Sequence, residues 1–335
     1  MSAALHRALL RVWTRRGPLA IFLQPLAWVY GLLAGLRRLL YRLTILRTRR
    51  VPVPVVVVGN LVVGGAGKTP VVMELVTQLA ERGWVPGVVS RGYGRQGVAC
   101  REVHNDSSVA ESGDEPLLIR RRTGVPVFVA AQRHVAALQL LAQYPNVNIL
   151  LSDDGLQHLA LHRDVEICVF DERGVGNGWL LPAGPLREPW PRDCDLIVDA
   201  GTLVAPRRFT VLRKLADHAT KSDGERVALA TLGRHADGAP ATVWAVAGIA
   251  RPEQFFAMLR DRGVMLAGTS ALADHGEING HDLLPAVGHL LVCTEKDAAK
   301  VWALRPDALA VVLQLDIEAA FWSAFEEKLA AATSA

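Results

Sequence analysis

Acidic residues are missing from one end of this chain. Residues 1–50 contain no aspartate or glutamate but ten arginines: Arg7, Arg11, Arg15, Arg16, Arg37, Arg38, Arg42, Arg47, Arg49 and Arg50. With those set aside, the remaining Lys+Arg fall below the 33 Asp+Glu, so the formal net charge of +4 belongs to a segment and not to the protein. This distribution argues against a nucleic-acid-binding ATPase, because the basic residues flank an apolar stretch instead of forming a polar face. Cysteine is also scarce. Cys100, Cys168, Cys194 and Cys293 stand far apart with no C-x-x-C pair, which argues against a secreted disulfide framework or a zinc site. Cys168 and Cys293 lie in apolar runs and read as small buried hydrophobes. The bulk of the chain is therefore expected in the cytosol, and no internal repeat or low-complexity tract stands out.

The arginine-rich end encloses the stretch 18–36, PLAIFLQPLAWVYGLLAGL, which has no charge and only Gln24 strongly polar. Crossing a bilayer takes about 20 apolar residues, so its length is at the margin, and Pro25 and the glycines weaken it as a regular helix. A signal peptide would need a small-residue cleavage site, whereas Arg37 and Arg38 follow. A buried core helix would leave both arginine groups without acidic partners. The reading that remains is a membrane-associated helix, either lying in the interface or barely spanning. Arginines on both sides leave its orientation open.

Beyond residue 50, short apolar runs alternate with helical spacing. Strands are expected at Val55–Val58, Pro86–Ser90, Val125–Ala130, Val147–Ser152, Val165–Phe170 and Leu196–Val198, with helices near 69–82, 116–122 and 133–143. This alternation predicts a mainly parallel sheet covered by helices, an α/β/α core. A polar, turn-rich stretch near 200–240 precedes a second strand-helix series. The division predicted is a basic anchor over 1–50, a nucleotide-binding domain over 51–204 and a smaller α/β domain over 205–335.

The stretch VVVVGNLVVGGAGKTP (55–70) resembles a phosphate-binding loop with one glycine displaced. The pattern G-x-x-x-x-G-K-[ST] asks for glycine at position 62, where Val62 stands. Gly64, Gly65 and Gly67 still permit close backbone approach beside the lysine. A buried strand, a glycine-rich turn and a helix starting near Lys68 supply inward N–H groups and a partially positive helix end. The predicted nucleotide contacts are Val62, Val63, Gly64, Gly65, Ala66, Gly67, Lys68 and Thr69, with Lys68 on the β- and γ-phosphates and the Thr69 hydroxyl on Mg²⁺. Asp153 and Asp154 follow a strand in the position of a magnesium-binding acid. His158 and His162 lack a third ligand at a defensible spacing, so ordinary hydrogen bonding is expected of them. These residues describe a membrane-anchored nucleotide-hydrolase-like protein. A membrane-docked, nucleotide-dependent switch stays open as the alternative, although TEKD (294–297) lacks the spacing of a guanine-reading N-K-x-D.

Seven further blocks accompany the loop: SRGYGR (90–95), SGDEP (112–116), SDDGLQH (152–158), LHRD (161–164), LPAGPLREP (181–189), DH (274–275) and TEKDAAK (294–300). Together and in this order they resemble the tetraacyldisaccharide 4′-kinases of lipid A biosynthesis, over nearly the whole chain. The resemblance implies transfer of the ATP γ-phosphate to the 4′-hydroxyl of a tetraacylated glucosamine disaccharide 1-phosphate, making lipid IVA. It implies ATP and Mg²⁺, an acylated lipid partner and a membrane surface, and work at the cytoplasmic face of the inner membrane. It implies catalytic roles for Lys68, for Asp114 in SGDEP and for His275 in DH. Glu188 beside Arg187 joins Thr69, Asp153 and Asp154 as a metal-site residue, and Arg91, Arg133 and Arg187 are expected on the substrate. The block after His275, GEING, departs from the family's commoner aromatic pattern. Taken alone, Asp114 followed by Glu-Pro reads equally as a helix cap.

Overall fold

The computed structural model describes residues 12–201, 203–232, 242–274 and 276–333. At its centre β1 (Val55–Gly59) is buried along its whole length, as a β-branched run covered on both faces should be. It pairs in parallel with β5 (Ile149–Asp153) and β6 (Val165–Phe170). Val56 and Val58 enter one apolar cluster with Leu75 and Leu79 of α3 (Lys68–Glu81), while Val55 and Val57 enter another with Leu140 of α6 (Arg133–Gln143). Side chains that alternate along one strand thus build a core on each face of the sheet. Each fully buried leucine contributes about 1.5–3 kcal/mol to holding its helix layer there.

Outward from β5 lie β2 (Pro86–Ser90), β4 (Val127–Val129) and the short β3 (Arg101–Glu102); beyond β6 lies β7 (Leu196–Asp199). Two helices, α4 (Val109–Ser112) and α5 (Asp114–Thr123), connect β3 to β4. The second series comprises β8 (Arg208–Thr220), β9 (Arg226–Ala228), β10 (Val243–Ala247), α7 (Pro252–Asp261), β11 (Leu266–Ala271), α8 (Gly280–Leu283), β12 (Leu290–Thr294), α9 (Glu295–Trp302), β13 (Leu309–Ile317) and α10 (Ala319–Thr333). All the strands join one sheet in the order β11-β10-β12-β13-β8-β7-β6-β1-β5-β2-β4-β3, with β9 beside β8.

The two halves meet along β8. Its first residues pair in parallel with β7, and from Val211 onward it pairs antiparallel with β13. The last helix then crosses back. Phe321, Phe325 and Leu329 of α10 pack into the cluster that holds Ile167 and Val198, and Lys328 pairs with Asp195 at 2.9 Å. A cut at 204/205 therefore leaves α10 apart from the core it completes. Strands β12, β10 and β11, with α7 to α9, form what is here termed the second lobe.

The uncharged stretch 18–36 is divided between α1 (Pro18–Phe22) and α2 (Gln24–Arg42). Pro25 occupies the first turn of α2, where its missing N–H costs nothing, and the break falls just before it. Among the described residues no helix is long and apolar enough to cross a membrane; α2 runs through Arg37 and Arg38 to Arg42. One side of α2 packs on the protein, with Ala27 buried and the Tyr30 hydroxyl donating to the Arg187 carbonyl (2.9 Å). The other side exposes Leu26, Trp28, Val29, Leu32, Leu33 and Leu36, and α1 exposes Phe22.

The cysteine expectation needs one correction. Cys168 forms a disulfide with Cys194, across 26 residues. Parallel pairing of β6 with β7 sets Cys168 opposite Ile197, which brings the residues just before β7 within reach; no spacing rule reveals this. Cys293 is buried and unpaired, as its apolar run suggests.

Candidate active site

The loop after β1 answers the question posed by the displaced glycine. Val62 is buried in the apolar cluster and its backbone bridges to Leu186, so a side chain at this position belongs to the core. Gly64 and Gly67 instead adopt φ of +99° and +85°, where a Cβ would be strained. Gly67 caps α3 with no side-chain hydrogen bond and no acid in the first turn, which leaves the helix end suited to an anion. A Cβ on Gly67 would also lie 2.6 Å from Arg213 Nη2.

Two arginines and an amide hold this loop from outside. Asn60 Nδ2 donates to the carbonyls of Val62 (2.6 Å) and Gly64 (3.2 Å). Arg173 donates to the carbonyls of Val63 and Gly65, each at 3.3 Å, and Arg213 to that of Ala66 at 2.9 Å. Asp171 and Glu172, directly after β6, order these cations: Asp171 pairs with Arg173 (2.8 Å) and Arg251 (3.1 Å), and Glu172 with Arg213 (3.8 Å) and Arg251.

Lys68 and Thr69 begin α3 and are both buried. Lys68 Nζ donates to Asn60 Oδ1 (3.3 Å) and lies 3.5 Å from Asp154 Oδ1. Asp154 has a positive φ of 48° that turns its side chain away from the direction of Asp153. Burial pushes the Asp154 carboxyl up, but Lys68, Arg187 and Arg133 together bring it below the usual carboxylate range. Arg187 sits 3.3 Å from Asp154 Oδ1, and Arg133 donates to the Asp154 carbonyl at 3.0 Å. Burial lowers the Arg133 guanidinium, Asp154 opposes that, and the like charge of Arg91 adds to it.

Asp153 has the opposite character. It is fully buried, and neither carboxylate oxygen has a hydrogen-bond partner. Burial, then the neighbouring charges of Glu115 and Asp154, raise its pKa to about 8. Beside a phosphate loop, a buried acid with both oxygens unpartnered suits a hard divalent cation. Mg²⁺ takes one or two carboxylates and draws its other ligands from phosphate and water. Among the described residues no three His, Cys, Asp or Glu side chains cluster as a self-sufficient metal site. Glu188 is engaged by other protein groups. Its carboxylate pairs with Arg38 (3.2 Å) and Arg192 (3.3 Å) and accepts from Gln157 (3.0 Å), a set that satisfies it without a metal. His158 Nε2 accepts from the Arg133 N–H at 3.2 Å, so this histidine hydrogen-bonds as expected.

The second lobe closes over the loop. A Cβ on Gly65 would lie 3.0 Å from Ala250 Cβ and 3.9 Å from Asp274 Oδ2. Between them runs a cleft of about 180 Å³, lined on the loop side by Gly65 to Thr69 and on the other by Arg213, Arg251, Gln254, Phe255 and Met258. A larger cavity of about 420 Å³ between α5, α9 and β13 contains no loop residue. Asp114 is the first residue of α5, buried, with the Glu115 N–H donating to its Oδ1 (3.0 Å) and Lys300 Nζ to its Oδ2 (3.3 Å). The cap position itself is Gly113, so the helix-cap reading of Asp114 does not hold. Arg91 is exposed after β2. His275 lies outside the described residues.

This arrangement has close counterparts. A family model described as tetraacyldisaccharide-1-P 4′-kinase (LpxK) matches residues 19–334. The chain belongs to this family. A tetraacyldisaccharide 4′-kinase of Acidovorax ebreus is 53% identical over 325 residues, covering 96% of this chain and 94% of the relative. One from Polaromonas naphthalenivorans is 51% identical over 331 residues, with the same coverage. The crystal structure of LpxK from Aquifex aeolicus in complex with ATP superposes with a TM-score of 0.79 at 27% identity, covering 93% of this chain and 99% of that one.

Several residues that shape this LpxK-family site had no signal in spacing: Asn60, Asp171, Arg173, Arg213, Lys296 and Lys300. Asn60 falls in the loop block and the two lysines in TEKDAAK, both marked by the family resemblance; Asp171, Arg173 and Arg213 fall in none.

Proposed function

We propose that the protein transfers the γ-phosphate of ATP to the 4′-hydroxyl of a tetraacylated disaccharide 1-phosphate, working at the cytoplasmic face of the inner membrane. The observation that carries this reading is the continuity between an apolar surface and the phosphate site. The exposed side of α1 and α2 backs onto Tyr30 and Arg38, which hold the Arg187 carbonyl and the Glu188 carboxylate; Arg187 in turn reaches Asp154, and Asp154 reaches Lys68. A lipid with four acyl chains will not leave the bilayer, so its kinase must bring a phosphate site to the surface. An apolar helix face buttressing that site supports such a role.

In this reading Lys68 and the α3 N-terminus hold the transferred phosphate and neutralise its developing charge. Thr69 and Asp153 would hold Mg²⁺, which would supply positive charge against the phosphate oxygens. Arg133 and Arg187 orient Asp154 and face substrate anions, with Arg91 at the rim. Asp114 accepts the proton of the sugar hydroxyl, since an alcohol is a poor nucleophile at neutral pH. The cleft beside Phe255 and Met258 takes the nucleotide base and ribose. The decisive test is to incubate purified protein with labelled ATP, Mg²⁺ and the lipid acceptor and identify the phosphorylated product. Label on the acceptor lipid, with little ATP consumed in its absence, is the expected result. ATP turnover indifferent to acceptor would overturn the reading.

A further inference from the structure

We propose that Lys300 is a positioning residue for phosphoryl transfer, fixing the Asp114 carboxylate against the Gly276 carbonyl of the second lobe, with Lys296 as its companion one turn earlier. The proposal rests on the reading of Asp114 as proton acceptor. Both lysines lie on one face of α9, four residues apart, and so point the same way. Lys300 Nζ donates to Asp114 Oδ2 at 3.3 Å and to the Gly276 carbonyl at 3.1 Å. Lys296 Nζ donates to Asp274 Oδ1 at 2.8 Å and lies 3.9 Å from Glu115 Oε1. Two ammonium groups thus tie consecutive acids at the start of α5 to the two residues flanking position 275.

Interlobe adhesion alone does not call for this arrangement. Arg122 and Glu295 already join α5 to α9 near the surface at 2.7 Å. Lys300 is instead largely buried, its side chain 13% exposed and that of Asp114 5%. Burying an ammonium is costly unless its partners are fixed, and these are a carboxylate and a main-chain carbonyl. What Lys300 specifies is a distance, that between Asp114 Oδ2 and the Gly276 carbonyl. Asp274, held by Lys296, in turn sets its Oδ2 near the phosphate loop at Gly65. One short helix therefore aligns the acid and the phosphate loop through the second lobe.

The test compares Lys300→Met, Lys300→Arg, Asp114→Asn and the double variant Asp114→Asn/Lys300→Met, each assayed with saturating lipid acceptor. Lys300→Met should lower kcat at least ~10-fold with the KM for ATP within about twofold, because the ATP contacts are untouched. Removing the cation beside the acid should also move the acid limb of the kcat profile upward. Lys300→Arg keeps the charge and should retain the parental limb and much of the rate; this arm also serves if Lys300→Met fails to fold. The double variant should be no slower than Asp114→Asn within about twofold, as residues acting as one unit are non-additive. A Lys300→Met enzyme of parental rate, an unmoved acid limb, or multiplicative losses in the double variant would each overturn the proposal. Parental activity in Asp114→Asn would instead remove the proton-acceptor reading, whatever Lys300→Met does.

Discussion

Arg213 Nη2 donates to the Ala66 carbonyl at 2.9 Å, joining residues 147 positions apart. Arg213 stands on β8, the strand that links the two halves of the sheet, so the shape of the phosphate loop depends on how those halves are assembled. Burial lowers the guanidinium, but Glu172 and Asp171 oppose that and hold the group in place. A hydrogen bond from a charged group is worth about 1.5–3 kcal/mol. Arg213→Met should therefore raise the KM for ATP by roughly 10-fold to 100-fold, while thermal unfolding moves little. An unchanged KM would mean that the loop holds its shape without this contact.

Lys68 carries the clearest catalytic expectation. Its side chain is 9% exposed and its ammonium lies 3.5 Å from Asp154, so phosphate oxygens would displace an internal partner and not bulk water. Losing one preorganised donor of this kind costs about 100-fold to 1,000-fold in turnover. Lys68→Ala should fall in that range in the acceptor-dependent assay. Turnover within threefold of the parent would remove Lys68 from the chemistry.

The first lobe was legible because its signals are local. A β-branched run, a glycine turn and a helical period each announce themselves within fifteen residues, and β1, α3 and α6 appear where those signals put them. The second lobe was harder to read. The thirteen-residue β8 is an alternating strand with charged outward positions, and its meaning lies in pairing β7 on one edge and β13 on the other. Residues identified by chemistry alone, such as Lys68 and the Asp153–Asp154 pair, converge as expected. Those whose role is to hold others, such as Arg173, Arg213 and Lys300, act through contacts more than 100 residues apart in sequence. Such contacts leave no spacing to read. Glu188 adds a contact of the same kind: it pairs with Arg38, from a segment that looked like an anchor alone.

Asp153 separates metal binding from the other tasks of the site. Both its oxygens are buried and unpartnered, so no protein hydrogen bond is lost in Asp153→Asn. The amide removes the charge that a cation needs and little else. The Mg²⁺ concentration for half-maximal activity should rise at least ~10-fold, and kcat at saturating Mg²⁺ should drop. Protein titrated with Mg²⁺ in the presence of ATP gives the first number directly. An unaltered Mg²⁺ requirement would leave Asp153 without a metal role.

His158 makes stability depend on pH in a defined window. Burial, with Arg133 and Arg163 nearby, lowers its pKa to about 4 from 6.5, so the folded protein keeps it neutral. The unfolded chain takes up a proton below the ordinary value and the folded chain does not. Stability from this group is thus fully present above pH 6.5 and is lost as pH falls toward 4. Partial exposure discounts the loss to about 1–2 kcal/mol. Urea midpoints at pH 7.5, 6 and 5 should fall progressively, and His158→Gln, which keeps an acceptor for the Arg133 N–H, should flatten the trend. Parallel decline in both proteins would assign the acid sensitivity to other groups.

The apolar side of α1 and α2 gives a cleaner membrane test than truncation. Removing the segment would uncover the Arg187 carbonyl and leave Glu188 without Arg38, so a loss of activity would be ambiguous. Phe22, Trp28 and Leu32 are 78%, 68% and 72% exposed, so their substitution leaves the packed side of α2 intact. Each such side chain is worth up to about 1.5–3 kcal/mol when buried in an apolar phase. Replacing all three with aspartate should weaken sedimentation with vesicles of phosphatidylethanolamine and phosphatidylglycerol by at least ~100-fold. ATP binding should hold within twofold, because these side chains lie on the face turned away from Arg187 and Glu188. Turnover should fall for acceptor embedded in vesicles and survive for acceptor dispersed in detergent, where no bilayer has to be engaged. Equal partition of variant and parent would place the membrane contact on another surface. Loss of activity in detergent as well would mean that the helix face meets the substrate itself.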